Sequence, residues 1–323
     1  MADSTNPVLI VGIGAMGCLF AARLAAAGIP VVVLGSWVEG VSALRENGVR
    51  LVEPDGVEKA YPVRVATDPM ECKGSLYALV LVKAWQTERA ARQLADCLAP
   101  DGLALTLQNG LGNREQLAQM LGTSRVALGV TTTGATLVSP GRVRPAGEGV
   151  ITLGVHSRLN PIANLLRKAG FVVESAPDTN SLQWGKLVIN AAINPITSIL
   201  RVTNGELVVR EPARALLAAA AREAAAVAVA KGVQLPYPDP VVAVESIAKR
   251  TANNRSSMLQ DVLRNAPTEI DAINGAIVQT GEETGVPTPI HRTLWQLIHS
   301  LHPQEIKSPE TEPVRINPPY PEV

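Results

Sequence analysis

Cysteine is scarce: Cys18, Cys72 and Cys97 are the only three in 323 residues, scattered and never spaced C-x-x-C. This excludes a disulfide framework and predicts reduced thiols in a cytoplasm. A surplus of either charge is lacking too, since Lys+Arg and Asp+Glu both number 29. There is thus no basic excess for nucleic acid and no acidic tail. No apolar run reaches the roughly 20 residues that span a bilayer. The opening MADSTNPVLIVGIG has no basic n-region, so a secretory signal is not expected either. His299 and His302 stand three apart but do not make a ligand set by themselves, and no metal site is expected.

What is present describes a soluble globular chain, 46% hydrophobic and 18% charged, long enough for two domains. The first half alternates short apolar runs with helical ones. PVLIVG (7–12), PVVVLG (30–35), LYALVLVKAW (76–85) and GLALTLQNG (102–110) read as strands. AMGCLFAARLAAAG (15–28) and TERAARQLADCLAP (87–100) read as helices. Strands that are apolar on both sides and separated by helices predict a parallel sheet covered on both faces. Residues 125–155 have strand character broken by Gly and Pro, which predicts an antiparallel hairpin added to that sheet. After about residue 177 strand signals stop, and helices are expected to end at Gly232 and Gly285. The expected fold class is α/β: a mostly parallel sheet domain over 1–177, then an all-helical domain over 178–306. A Pro-rich tail, 307–323, reads as disordered.

VGIGAMG supplies Gly12, Gly14 and Gly17 as G-x-G-x-x-G between a strand and a helix. In that context the motif predicts a dinucleotide site: Gly12 for the turn, Gly14 for approach of the pyrophosphate, Gly17 for helix–strand packing. The tip of the second strand decides between NAD and NADP, through an acid for the 2′-hydroxyl or a base for the 2′-phosphate. Here it reads LGSWVEG, with Ser36 and Trp37 at the tip and Glu39 about one turn too late. Both cofactors stay open on these residues.

WGKLVINAAINPITS puts Lys186, Asn190 and Asn194 at i, i+4 and i+8 in an apolar run, so on a helix they share one stripe. Stranding such groups in a dry core would cost roughly 1–3 kcal/mol each, which makes the stripe a candidate wall of a polar cleft. Bland alternatives exist. Pro195 could kink the helix and give the asparagines local bonds, Ser257 with Gln260 fits a capping box, and Glu269 could be a first-turn acid.

LVLVKAWQ, LQNGLGN, WGKLVINAAINPITS, TNGEL and NRSSMLQDVLRNAPTEIDAING follow the glycine loop in that order. Together they resemble the ketopantoate reductase (2-dehydropantoate 2-reductase) family, over about residues 8–300. The resemblance implies a Rossmann domain joined to a helical domain, and NADPH-dependent reduction of 2-dehydropantoate to pantoate in pantothenate and coenzyme A biosynthesis. It makes Lys186 the general acid, with Glu269 anchoring it and also touching the cofactor. Asn190, Asn194, Asn254 and Ser257 become substrate contacts, Ser257 holding the carboxylate. Gly12, Gly14, Ala15, Met16, Gly17 and Asn109 become cofactor contacts. Lys83 falls near the adenosine phosphate, where it is left as the basic candidate for the 2′-phosphate. Many members have Arg at the second-strand tip, and this chain departs from them there. The implied partner is a small 2-oxo acid, with no nucleic acid or membrane and with a homodimer left open. Rival readings are a relative acting on another branched or larger 2-oxo acid, and a non-catalytic NADP(H)-sensing protein. A β-hydroxyacid or glycerol-phosphate dehydrogenase would need a glycine-rich motif before the lysine that SLQWGKLVIN does not supply.

Overall fold

The computed structural model describes residues 6–53 and 55–301; His302 and the stretch 307–323 lie outside the described residues. Among the described residues twelve strands form two sheets: β1 (Val8–Val11), β2 (Val31–Leu34), β3 (Val49–Val52), β4 (Glu58–Tyr61), β5 (Arg64–Ala66), β6 (Ser75–Val80), β7 (Leu98–Thr106), β8 (Val126–Thr131), β9 (Ala135–Ser139), β10 (Arg142–Pro145), β11 (Val150–Leu153) and β12 (Val172–Ser175). The larger sheet has the order β12-β11-β8-β7-β6-β1-β2-β5. From β8 to β5 every pairing is parallel. β11 reverses direction against β8, and β12 follows β11. Valine-rich β1 and β2 are buried at every position, as central strands covered on both faces must be.

Helices α1 (Ala15–Ala26), α2 (Val38–Asn47), α3 (Thr87–Cys97), α4 (Asn113–Leu121) and α5 (Leu159–Lys168) connect or flank these strands. The smaller sheet, β4-β3-β10-β9, closes over α1. This explains why α1 is apolar nearly all round: Cys18 to Ala22 and Leu24 are buried, and a helix enclosed by two sheets has little wet face to fill.

The sequence reading of 125–155 needs correcting. Its hairpin, β9–β10, is not added to the main sheet; β10 pairs instead with distant β3, in parallel. β8 and β11 on either side stay in the main sheet, and the chain leaves it between them. Gly149 allows that exit, because a Cβ there would sit 2.3 Å from the Thr133 nitrogen. Two element ends also shift. The strand expected to 85 stops at Val80, ahead of a 3₁₀ turn at Ala84–Gln86, and α3 ends at Cys97 because β7 begins at Leu98.

From Thr179 the chain is helical: α6 (Thr179–Leu200), α7 (Glu206–Val209), α8 (Glu211–Ala230), α9 (Pro240–Arg250), α10 (Ser257–Leu263), α11 (Ala276–Thr284) and α12 (Pro289–Leu301). α6 starts at Asp178, whose carboxylate accepts from the Asn180 and Ser181 N–H groups, an ordinary N-cap. It packs on α8, α9, α10 and α12, and the alanines of α8 let the two long helices approach closely.

Pro195 lies inside α6. It has no N–H for the Ala191 carbonyl four residues back. Asn274 fills the gap, its Nδ2 donating to Ala191 O at 3.1 Å. Asn274 belongs to a π-helical turn, Asp271–Gly275, just after Glu269. The unmet carbonyl of the Lys186 helix is therefore the anchor point for the segment that carries Glu269.

The second Asn274 N–H meets His291 Nδ1 at 2.9 Å, and His291 Nε2 lies 2.9 Å from the Ala220 carbonyl. Only the neutral imidazole with its proton on Nε2 satisfies both contacts. Burial pushes the His291 pKa from 6.5 down to about 4, the bond to the Ala220 carbonyl opposing it. An unfolded histidine therefore binds more protons than the folded one between those values, so acid favours unfolding. The contribution is complete above pH about 6.5 and about 3 kcal/mol is lost on reaching pH about 4. Urea unfolding of the wild type and His291→Gln at pH 7.5, 6 and 4.5 measures it, and the wild type should lose more stability than the variant on acidification.

Candidate active site

The glycine loop ends β1 and starts α1. Gly12 has φ +123°, and a Cβ there would lie 3.0 Å from the Leu81 and Val82 backbone. At Gly17 a Cβ would fall 2.0 Å from the Gly12 carbonyl oxygen, whereas at Gly14 it would meet nothing within 4 Å. The loop is tight where chain meets chain and open on the side where a pyrophosphate would approach. The first turn of α1 carries no acid, and its first intrahelical bond runs from Cys18 N to Gly14 O. The N–H groups of Ala15, Met16 and Gly17 have no acceptor within the helix. Open donors at a positive helix end fit a dinucleotide pyrophosphate.

Where the sheet meets the helical region, the 3₁₀ turn after β6 and the loop after β7 meet the segment around Glu269. Glu269 is 6% exposed. Its Oε1 accepts from Ala84 N at 3.0 Å and its Oε2 from Asn109 Nδ2 at 3.2 Å. Lys83 Nζ stands 3.5 Å from the same Oε2 and donates to Asp261 Oδ2 at 2.6 Å. Burial alone would depress the Lys83 pKa, but the two carboxylates reverse this and hold it above the usual lysine range. The QNGLG loop is docked on the π-helical turn: Leu111 N donates to Ala272 O, and Gln183 Nε2 to Gly110 O. Gly110, at φ +83°, must be glycine, since a Cβ there would lie 2.4 Å from that Ala272 oxygen.

Lys186 rises from α6 towards β8, where its Nζ donates to Thr131 O at 2.7 Å. Burial lowers its pKa to about 8, with the Glu269 charge pulling the other way. Asn190 is half-buried and Asn194 is 5% exposed. Among the described residues neither side-chain amide has a hydrogen-bond partner, so the local bonds considered for them from sequence are absent. Only the Asn194 carbonyl is engaged, by the Thr197 and Ser198 hydroxyls.

Two expected roles change. Glu269 does not hydrogen-bond Lys186; Ala84, Asn109 and Lys83 take its oxygens, and it reaches Lys186 through charge alone. Lys83 is not a free cation for a 2′-phosphate, because Asp261 and Glu269 hold its ammonium. The capping box read at Ser257 is also not formed: the cap lies one residue earlier, where the N3 position is Leu259 and no side chain returns the bond. Buried Ser256 is the N-cap of α10, bonded to Leu259 N and to Thr197 Oγ1. Ser257 is left exposed on the first turn. Asn254 is exposed and lines a cavity of about 450 Å³ with Thr136, Ala146, Arg255, Gln260 and Arg264. Of the expected site residues only Asn254 lines it, and it opens between the β9–β10 hairpin and the helical region.

Sequence reasoning missed Thr131 and gave Asp261 no role. A backbone carbonyl leaves no mark in the residue type, so Thr131 had no signal. Asp261 stood inside the quoted SSMLQD block, eight residues before Glu269. Two acids only eight residues apart, beside a lysine that had been given to the 2′-phosphate, could have suggested a bridge.

The arrangement gathers a proton-bearing lysine, a buried carboxylate and two unpartnered amides next to an open dinucleotide cradle. That set can deliver a proton to an oxygen on which charge is building. Comparison with known proteins is in keeping with it. Residues 8–158 match the family model described as ketopantoate reductase PanE/ApbA, and 178–302 match its C-terminal counterpart. The 2-dehydropantoate 2-reductase of Archaeoglobus fulgidus is 38% identical over 302 residues, 91% of this chain and 97% of that one. The crystal structure of a PanE/ApbA family ketopantoate reductase from Ralstonia eutropha superposes with a TM-score of 0.85 at 33% identity, covering 92% of this chain and 98% of that one. The ternary structure of D-mandelate dehydrogenase with NADH and anilino(oxo)acetate gives 0.86 at 26% identity, covering 92% and 98%. The chain belongs to the ketopantoate reductase PanE/ApbA family.

Proposed function

We propose that the chain reduces 2-dehydropantoate to pantoate, in cytoplasmic pantothenate and coenzyme A biosynthesis, with Lys186 as proton donor. The observation that carries this reading is Lys186 itself: a lysine with a pKa of about 8 on the same stripe of α6 as two unpartnered asparagines, within the field of Glu269. A bound nicotinamide dinucleotide supplies the hydride to the carbonyl carbon. NADPH, which the family resemblance implies, and NADH offer the same reacting end and differ only at the adenosine ribose.

Lys186 Nζ holds the proton and exchanges the Thr131 carbonyl for the substrate oxygen. The ammonium stabilises negative charge there and then gives up its proton, a contribution of about 10²–10⁴-fold. A donor with a pKa near 8 loses its proton more readily than an ordinary lysine and is still mostly charged at neutral pH. The Glu269 carboxylate keeps it charged. Asn190 and Asn194 read the hydroxyl end without repelling an anion, and the exposed Ser257 hydroxyl holds the carboxylate. Ala15, Met16 and Gly17 N–H groups hold the pyrophosphate, and Asn109 orients Glu269 from the cofactor side.

A second reading, a larger 2-oxo acid as substrate, is favoured by the structural likeness to D-mandelate dehydrogenase. Initial rates with ketopantoate, 2-oxoisovalerate and phenylglyoxylate at matched concentrations separate the two. Ketopantoate should give the highest kcat/KM, by about tenfold or more, because a site built to bond a hydroxyl rejects analogues lacking one. Faster turnover of phenylglyoxylate would replace the first reading with the second.

A further inference from the structure

The adenosine end of a dinucleotide lies over the carboxyl ends of the strands beside the glycine loop. Four loops leave that edge from β1, β2, β5 and β6: residues 12–14, 35–37, 67–68 and 81–83. Lys83 is the only basic residue in them, and Asp261 and Glu269 occupy its ammonium at 2.6 and 3.5 Å. Two acids stand near the β2 tip. Asp68, in the loop after β5, accepts from Met70 N at 2.9 Å, and Glu39 is exposed in the first turn of α2. β5 is the strand paired with β2, and Gly35 N donates to Ala66 O, which places the Asp68 loop beside the tip.

Trp37 fills the place where a cation would be needed. It is 40% exposed. Its indole packs close to Gly40, where a Cβ would be 2.4 Å from the ring. Ile13 packs under Gly35 in the same way, 2.3 Å from the position of a Cβ there. The tip is therefore aromatic and small, with an exposed Ser36 and acidic neighbours. A phosphate monoester brings a charge of about −1.5 to −2 at pH 7, and no unpaired cation in these loops answers it. A ribose hydroxyl brings none.

We infer that this chain does not select the 2′-phosphorylated cofactor: its site takes NADH about as well as NADPH, or better, with Ser36 and Trp37 standing where a phosphate-binding cation would be required. The inference rests on the reading of the glycine loop as a nicotinamide dinucleotide site. It extends that reading to the adenosine end.

The test is calorimetric titration of the full chain with NADH and with NADPH, and with AMP and adenosine 2′,5′-bisphosphate as competitors. The expected result is an NADH Kd no more than about threefold weaker than that of NADPH, with the bisphosphate no better a competitor than AMP. NADPH binding more than about threefold tighter would overturn the inference, as would tighter binding of the bisphosphate. Ser36→Arg should raise the NADPH-to-NADH affinity ratio by about tenfold or more, as a charge-assisted bond to phosphate forms. A folded variant with an unchanged ratio would show that the β2 tip does not meet the 2′ position, and would also overturn the inference. Binding of neither cofactor would remove the dinucleotide site altogether. These titrations need no 2-oxo acid, so failure to reduce ketopantoate would defeat the proposed activity and leave the cofactor inference standing.

Discussion

Lys186→Ala is expected to lower kcat for ketopantoate reduction by at least about 10²-fold while cofactor Kd stays within about threefold. Among the described residues the ammonium makes one hydrogen bond, to the Thr131 carbonyl, so its removal deletes the proton donor without breaking a network. Lys186 is half-buried on α6, and alanine would leave space where its stem packs. Lys186→Met keeps most of that volume and should be as inactive as the alanine variant, with a Tm close to wild type. Stopped-flow single turnovers would place the loss in the hydride-transfer step. Wild-type turnover in the methionine variant would take lysine out of the mechanism.

Glu269→Gln is expected to fall next, by about 10–10²-fold at pH 8. Glutamine preserves the shape and one acceptor oxygen, so either the Ala84 N–H or the Asn109 amide keeps a partner. It removes the charge that opposes the effect of burial on Lys186. The Lys186 pKa should therefore drop below about 8 in the variant, and less of the donor is protonated at any pH near or above it. The pH limb of the reduction moves towards acid, and the deficit shrinks at pH 6. A purely structural Glu269 would instead give a pH-independent loss and a lowered Tm. Lys83 keeps Asp261 at 2.6 Å, which restrains unfolding of the junction in this variant.

Much of this was legible in the chain because local physics wrote it there. The β-branched runs of β1 and β2, the glycine spacing and the i, i+4, i+8 polar stripe each depend on residues within one or two turns of one another. What was hidden depends on distant partners. The β9–β10 hairpin has the composition of a strand pair wherever it docks. Its pairing with β3, some ninety residues earlier, follows from how α1 must be covered rather than from its own sequence. Lys83 read as a free cation because Asp261 and Glu269 lie in the helical region, about 180 residues further along the chain. Lys186 finds a carbonyl of β8, and a carbonyl belongs to every residue type. The serine pair at 256–257 shows the finest limit: either hydroxyl could cap α10, and the buried bond of Ser256 to Thr197 decides it. Pro195 looked like the start of a kink, and its freed carbonyl turns out to be bonded by Asn274.

The central claim is that Lys186 carries the proton, and the pH dependence of kcat/KM for ketopantoate tests it most directly. This ratio reports groups in the free enzyme, where Lys186 has a pKa of about 8. Reduction requires the protonated amine, so log kcat/KM should be level up to pH about 7.5 and fall about tenfold per unit above pH about 8. The limb should move towards acid in Glu269→Gln and vanish from the residual activity of Lys186→Ala. A profile level to pH 10, or the same limb persisting in Lys186→Ala, would contradict the account.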